Sequence, residues 1–176
     1  KMKFIGDLSL LPEDLRKLCL KLEERTKNNR NFFVNFAIAY GGRQEIIEKN
    51  GKKIKIFLSK NPTSFNESLR TIGKVKTLLL ILNDRIPDGR DVSWIWDVDF
   101  EKLLKSSKIV ISGDRVFDLA IRLKYADQNN FKIVENLNRA IKVALRETSK
   151  NGTLYILPTY SSMLDAREII TGRKIS

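Results

Sequence analysis

Five aspartates and both tryptophans of the chain fall within one run, Asn83 to Glu101, and no other stretch concentrates chemistry in this way. The carboxylates of Asp84, Asp88, Asp91, Asp97 and Asp99 could act alone on a metal ion. Alternatively, one of them could accept a hydrogen bond from an imidazole and fix its tautomer, as the third member of a catalytic triad does. Each part also has a plain structural reading. Pro87-Asp88-Gly89 is ordinary turn chemistry, Trp94 and Trp96 suit a core, and Asp97 or Asp99 could cap a helix carrying Leu103 and Leu104.

The chain contains no histidine. That removes the commonest general base, any Ser-His-Asp or Cys-His site complete within the chain, and the usual zinc constellations. A triad aspartate here would need an imidazole from another protein. The net charge of +12 suggests an anionic partner, but the basic residues are spread along the chain among acids. The densest group, Lys49, Lys52, Lys53, Lys55 and Lys60, straddles a loop and a strand. A solvated basic surface is therefore expected, and no nucleic-acid interface. A single Cys19 and no long apolar stretch suggest a reducing, cytoplasmic setting without a transmembrane segment.

The elements that must position the Asp-rich run read as alternating strands and helices. Pro12 followed by Glu13 and Asp14 starts a helix whose stripe is Leu15, Leu18, Cys19 and Leu22. Phe32 to Tyr40 reads as a strand, Gly41-Gly42 as a turn and Arg43 to Glu48 as a short helix. Further strands are expected at Ile54 to Leu58, Thr77 to Leu82, Lys108 to Ser112 and Leu154 to Leu157, each apolar enough to be covered on both faces. Apolar stripes predict helices through Val116 to Leu123, Val134 to Leu145 and Met163 to Ile170. The fold class is thus α/β, a mainly parallel sheet flanked by helices, with an N-terminal βαβα appendage. In such sheets ligands and partners meet the loops at the carboxyl ends of the strands, which is where the Asp-rich run follows the strand ending at Leu82.

Asn83-Asp84, then Asp88-Gly89-Arg90-Asp91-Val92-Ser93-Trp94-Ile95-Trp96-Asp97-Val98-Asp99-Phe100-Glu101, resembles the signature of the C-terminal domain of MurT, the Mur-ligase-like subunit of lipid II isoglutaminyl synthase. Lys60-Asn61-Pro62, Phe65-Asn66-Glu67, Ser112-Gly113 with Arg115, Ala120 to Ala126, Leu157-Pro158-Thr159-Tyr160 and Met163-Leu164 agree in order, so the resemblance covers residues 53–176. It implies a Rossmann-like Mur-ligase C-terminal fold and half of an enzyme. In that family a GatD-like glutamine amidotransferase subunit supplies a cysteine and a histidine, and an aspartate of the MurT domain completes the triad. The ammonia amidates D-glutamate of the lipid II stem peptide after ATP activation. The resemblance leaves open which aspartate this is; Asp88 and Asp91 lie in the loop proper and Asp97 follows the Trp-Ile-Trp anchor, so the candidates are taken in the order Asp91, Asp97, Asp88, with Arg90, Ser93, Trp94 and Trp96 against the partner. ATP and Mg2+ would belong to a central domain not found in this chain, which has no Gly-x-x-x-x-Gly-Lys-Ser/Thr motif. No cofactor or metal is expected here, and the chain alone is expected to make no isoglutamine.

Residues 1–48 carry a second resemblance. Ile5-Gly6-Asp7-Leu8-Ser9, Thr26-Lys27-Asn28-Asn29 and Asn35 to Ile46 are similar to the middle of a cis-prenyltransferase of the undecaprenyl diphosphate synthase family. The family's early aspartate and its late Arg-x-Ser-Gly-Glu-x-Arg segment are absent, so a fragment or subunit without a complete active site is implied. Arg43 after Gly41-Gly42 reads as an anion ligand or as a structural helix start. The expected domains are a prenyltransferase-like fragment at 1–48, a junction at 49–53 and a MurT-like domain at 54–176.

Overall fold

The computed structural model describes residues 1–5, 8, 12–37, 44–49 and 51–172. The chain divides into two compact units, Lys1–Gly41 and Gly42–Ser176. In the first, strands β1 (Met2–Ile5) and β2 (Val34–Ala37) pair in parallel, as a crossover through helix α1 (Glu13–Thr26) requires. Phe4 and Phe36 stack at 5.3 Å across the pair. The Thr26 hydroxyl accepts the Met2 N–H at 2.9 Å, tying the helix end to β1. Cys19 is buried, but Leu15 and Leu18 of the expected stripe are exposed, because two strands offer a helix little surface to cover. Of the expected strand over 32–40, residues 34–37 are strand and residues 32 and 33 are not, while residues 38–40 and the Gly41-Gly42 turn lie outside the described residues.

The second unit is a six-stranded sheet of order β3-β4-β8-β5-β6-β7. Its strands are β3 (Gln44–Lys49), β4 (Lys52–Phe57), β5 (Thr77–Ile81), β6 (Lys108–Ser112), β7 (Phe131–Ile133) and β8 (Thr153–Pro158). Every pairing is parallel except β3 with β4. Helices α2 (Pro62–Ile72), α3 (Val116–Tyr125), α4 (Leu137–Glu147) and α5 (Tyr160–Thr171) complete it. Central strand β5 is buried throughout and its side chains alternate between two cores. Leu78, Leu80 and Leu82 pack with Phe65 and Leu69 of α2 and with Leu119 and Leu123 of α3. Leu79 and Ile81 pack with Ile141 of α4 and Ala166 of α5. Two covered faces explain why the strand reads as an unbroken apolar run.

The expected helix over Arg43 to Glu48 is corrected. From Gln44 the chain is strand, and Arg43 itself lies outside the described residues. Lys49 pairs with Lys52 across a two-residue link containing Gly51 at φ +69°, the Asn-Gly signature of a tight hairpin. Pairing with β4 supplies backbone partners. Glu45 adds an ion pair to Arg167 at 2.7 Å, and Ile47 packs against the second core. The appendage is therefore βαβ followed by an antiparallel edge strand of the main sheet. The 49–53 junction falls inside this hairpin, while the two compact units divide at Gly41 and Gly42.

Candidate functional site

Three loops meet at the carboxyl ends of β5, β6 and β8, and Asn83 joins them. Its side chain is buried, donates to the Ser161 hydroxyl at 3.0 Å and accepts the Asp114 N–H at 3.0 Å. Its backbone N–H donates to the Thr159 hydroxyl at 3.1 Å. Such closeness requires glycine at position 113. Gly113 has φ +108°, and a Cβ there would lie 2.3 Å from the Leu82 carbonyl oxygen and 2.8 Å from Asn83 Oδ1.

Beyond Asn83 the loop is held by its own charges. Arg85 bridges Asp114 at 2.9 Å and Asp165 at 2.7 Å. Asp88, half-buried, accepts the Ser161 N–H at 2.8 Å and also the Ser161 hydroxyl. Both of its oxygens are therefore committed to the first turn of α5, where a carboxylate also meets the positive end of the helix dipole. Asp84 pairs with Arg115 at 3.3 Å.

After Asp91 the chain turns through two short 3-10 segments, Ser93–Asp97 and Phe100–Lys102. The expected helix carrying Leu103 and Leu104 does not form, and Asp99 makes no capping bond but pairs with Lys102. The 3-10 path is imposed from outside. Asn66 of α2 donates to the Asp97 carbonyl at 3.0 Å and accepts the Asp99 N–H at 2.8 Å. Buried Arg122 of α3 donates to the carbonyls of Ile95 at 3.2 Å and Val98 at 2.6 Å and to Glu101. Asn66 is itself fixed near the start of α2, where Pro62 takes the first helical position within the Asn61-Ser64 capping box.

This frame leaves a cleft of about 320 Å³ lined by Arg90, Asp91, Val92, Ser93, Ile95, Trp96, Arg115 and Asp118. It lies between the Asp-rich loop and the start of α3, so two successive βα-loops form it. Arg115 makes a two-point pair with Asp118, at 2.8 and 3.0 Å. That pairing raises the Arg115 pKa and lowers that of Asp118. With those charges mutually satisfied, Arg90 and Asp91 are the exposed charges of the cleft.

The Asp91 carboxylate accepts the Ser93 N–H at 2.8 Å. That bond, and then the Ser93 hydroxyl, hold it below the ordinary carboxylate range. Asp91 is thus an oriented, ionised and exposed acceptor. Asp97 is also exposed, and its carboxylate makes no hydrogen bond or ion pair among the described residues, but it does not line the cleft. Trp94 turns inward and packs on Phe65, with centroids 6.3 Å apart. Trp96 stays 49% exposed and meets Tyr125 edge-on at 5.3 Å. The two tryptophans expected at a partner surface therefore separate into a core anchor and a surface ring. Ser93 is spent largely on Asp91.

Among the described residues no three His, Cys, Asp or Glu side chains converge as metal ligands. Asp84, Asp99 and Asp88 of the run are taken up by Arg115, Lys102 and Ser161 respectively. Reading the sequence missed the roles of Asn66, Arg122, Arg115, Asp118 and Ser161. Only the fold shows what they hold.

Residues 58–163 match the family model described as MurT ligase C-terminal, and residues 1–84 match that of undecaprenyl diphosphate synthase, a prenyltransferase. The lipid II isoglutaminyl synthase (glutamine-hydrolyzing) subunit MurT of Staphylococcus aureus strain COL is 37% identical over 128 residues, 69% of this chain and 29% of that relative. The isoprenyl transferase of Prochlorococcus marinus subsp. pastoris is 43% identical over 89 residues, 46% of this chain and 32% of that relative. A solved UDP-N-acetylmuramoyl-L-alanyl-D-glutamate–2,6-diaminopimelate ligase overlaps 77% of this chain and 32% of its own, with TM-score 0.48 and 12% identity. The chain thus spans under a third of the length of the MurT subunit it matches.

Proposed function

The chain belongs to the MurT ligase C-terminal family, and from that premise we propose that it docks on a GatD-type glutaminase and completes the partner's Cys-His-Asp triad with Asp91. The observation that carries this reading is the state of Asp91. It is exposed in a cleft, held in direction by the Ser93 N–H, and kept ionised, in a chain that has no imidazole to pair with it. Such a carboxylate accepts the Nδ1–H of a histidine and stabilises the imidazolium that forms when the histidine takes the thiol proton. The chain's part is to present that acceptor on a rigid frame, while the nucleophile and base come from the partner.

Asp97 is the next candidate, because its exposed carboxylate is uncommitted. Asp88 is committed to Ser161 and serves the frame. The staphylococcal relative is named as a subunit of a glutamine-hydrolysing lipid II isoglutaminyl synthase. By that analogy the ammonia would amidate D-glutamate of a lipid II stem peptide in the cytoplasm. ATP and Mg2+ would be held by a domain outside this chain. Adding the chain to a GatD-type glutaminase should produce a co-eluting complex and raise glutamate release. No complex and no stimulation would overturn the proposal.

A second reading, a cis-prenyltransferase fragment, is favoured by the match over residues 1–84. It predicts an isoprenoid diphosphate affinity lost in Arg43→Ala. A flat titration with undecaprenyl diphosphate would dispose of it.

A further inference from the structure

The outer face of α3 carries Phe117, Ile121 and Tyr125, one turn apart, and they are 57%, 51% and 76% exposed. Residues four apart are neighbours on a helix surface, so the three make a continuous stripe. They are not displaced core residues. The inner face of α3 is already filled by Val116, Leu119, Ala120 and Leu123. A helix covering a sheet ordinarily turns charged side chains outward, yet Lys124 is the one charged residue among the exposed positions of α3. Trp96 extends the stripe by its edge contact with Tyr125, and the Arg122 guanidinium lies over its ring at 5.7 Å from the centroid. Four large apolar side chains thus form one exposed ridge, of the aromatic-rich kind that marks association surfaces.

The ridge is continuous with the Asp91 cleft. Trp96 belongs to both, and Asp118 of the cleft is next to Phe117 on α3. Any protein that sets an imidazole within hydrogen-bond distance of Asp91 must cover the surface beside it, because a stable interface buries about 800 Å² per partner. The exposed charges beside the ridge are mixed, Arg90 and Lys124 with Asp91 and Asp97, but the chain's net charge is +12. That overall charge disfavours a second copy and favours a partner of opposite charge.

We infer that the ridge of Phe117, Ile121, Tyr125 and Trp96 is the seat of the histidine-bearing glutaminase subunit, an apolar anchor beside the aspartate it receives. This rests on the docking reading above. The anchor sets affinity and the aspartate sets rate, so the two separate in experiment.

The test measures binding of a GatD-type glutaminase to the full chain and to Ile121→Asp, Tyr125→Ser and, on the opposite sheet face, Lys142→Asp. Ile121→Asp and Tyr125→Ser should keep the parent melting temperature, because both side chains are exposed. Each should weaken Kd by about 30-fold or more, as loss of an interface anchor does, while glutamate release returns at saturating concentration. Lys142→Asp should bind as the parent does. Parent-like Kd in both α3 variants, with Asp91→Asn still abolishing rate, would overturn the ridge and leave the docking reading standing. Loss of self-association in place of loss of partner binding would make the ridge a contact between copies and overturn it also. If the parent chain itself does not bind, the docking reading fails and the ridge assignment with it.

Discussion

The Asp88 carboxylate caps the first turn of α5, accepting the Ser161 N–H at 2.8 Å on one oxygen and the Ser161 hydroxyl on the other. The same hydroxyl accepts from Asn83 at 3.0 Å, so the loop after β5 and the loop after β8 share one polar joint. Asp88→Ala should lower stability by about 1–2 kcal/mol, the usual cost of losing a helix cap. Chemical denaturation checks this. Per folded molecule, the rate supported with a glutaminase partner should hold. A collapse in rate with unchanged stability would move Asp88 from frame to chemistry.

Arg122 is buried and clamps the Trp-containing turn through the carbonyls of Ile95 and Val98 and through Glu101. The same pairing lowers the Glu101 pKa. Arg122→Met keeps most of the volume but removes the charged donor, leaving the Ile95 and Val98 carbonyls only the backbone N–H groups of Val98 and Phe100. It should cost about 1.5–3 kcal/mol, the range for hydrogen bonds from charged groups. Tryptophan fluorescence should report a freed Trp96 ring. An unshifted emission spectrum with parent-like stability would contradict the clamp.

Glu147 sits between Lys132 and Lys108, and these two cations, Lys132 first, hold its carboxyl down to about 2. A carboxylate depressed in the folded state adds stability above its unfolded pKa and loses it as pH falls through the folded one. The difference in melting temperature between the parent and Glu147→Gln should therefore be full at pH 7. It should shrink from about pH 4.5 and vanish near pH 2. A difference that persists unchanged to pH 2 would contradict the pairing.

Much of the main sheet was legible because its strands are covered on both faces. Thr77 to Leu82, Lys108 to Ser112 and Leu154 to Leu157 are apolar runs with turn residues at their ends, and each is a strand. The edge was harder to read. Gln44 to Lys49 is polar enough to pass for a helix start, and it becomes a strand through its pairing with β4. The Asn-Gly link before Lys52 was the available signal. Strand β7, of three residues, and helix α2 behind its Asn61-Pro62 start were likewise not assigned in advance.

In the site, the sequence showed a concentration of carboxylates but not their division of labour. Asp88, Asp91 and Asp97 look alike on paper. Ser161, Ser93 and the open surface distinguish them, and Ser161 is 73 residues from Asp88. Trp94 and Trp96 are likewise equal as letters. A 3-10 turn, set by Asn66 and Arg122 from two other elements, turns one inward and leaves the other at the surface. Asn66 and Arg122 lie in stretches that resemble the family, but their jobs are long-range backbone contacts that no local pattern encodes.

The most direct measurement is glutamate release by a GatD-type glutaminase saturated with this chain, comparing the parent with Asp91→Asn. An Asn keeps the shape but cannot stabilise the imidazolium, and loss of a triad aspartate in this way costs on the order of 10⁴ in rate. For Asp91→Asn, kcat should fall by that order while Kd for the partner and the melting temperature both stay unchanged. A parent-like kcat for Asp91→Asn at saturation would contradict it.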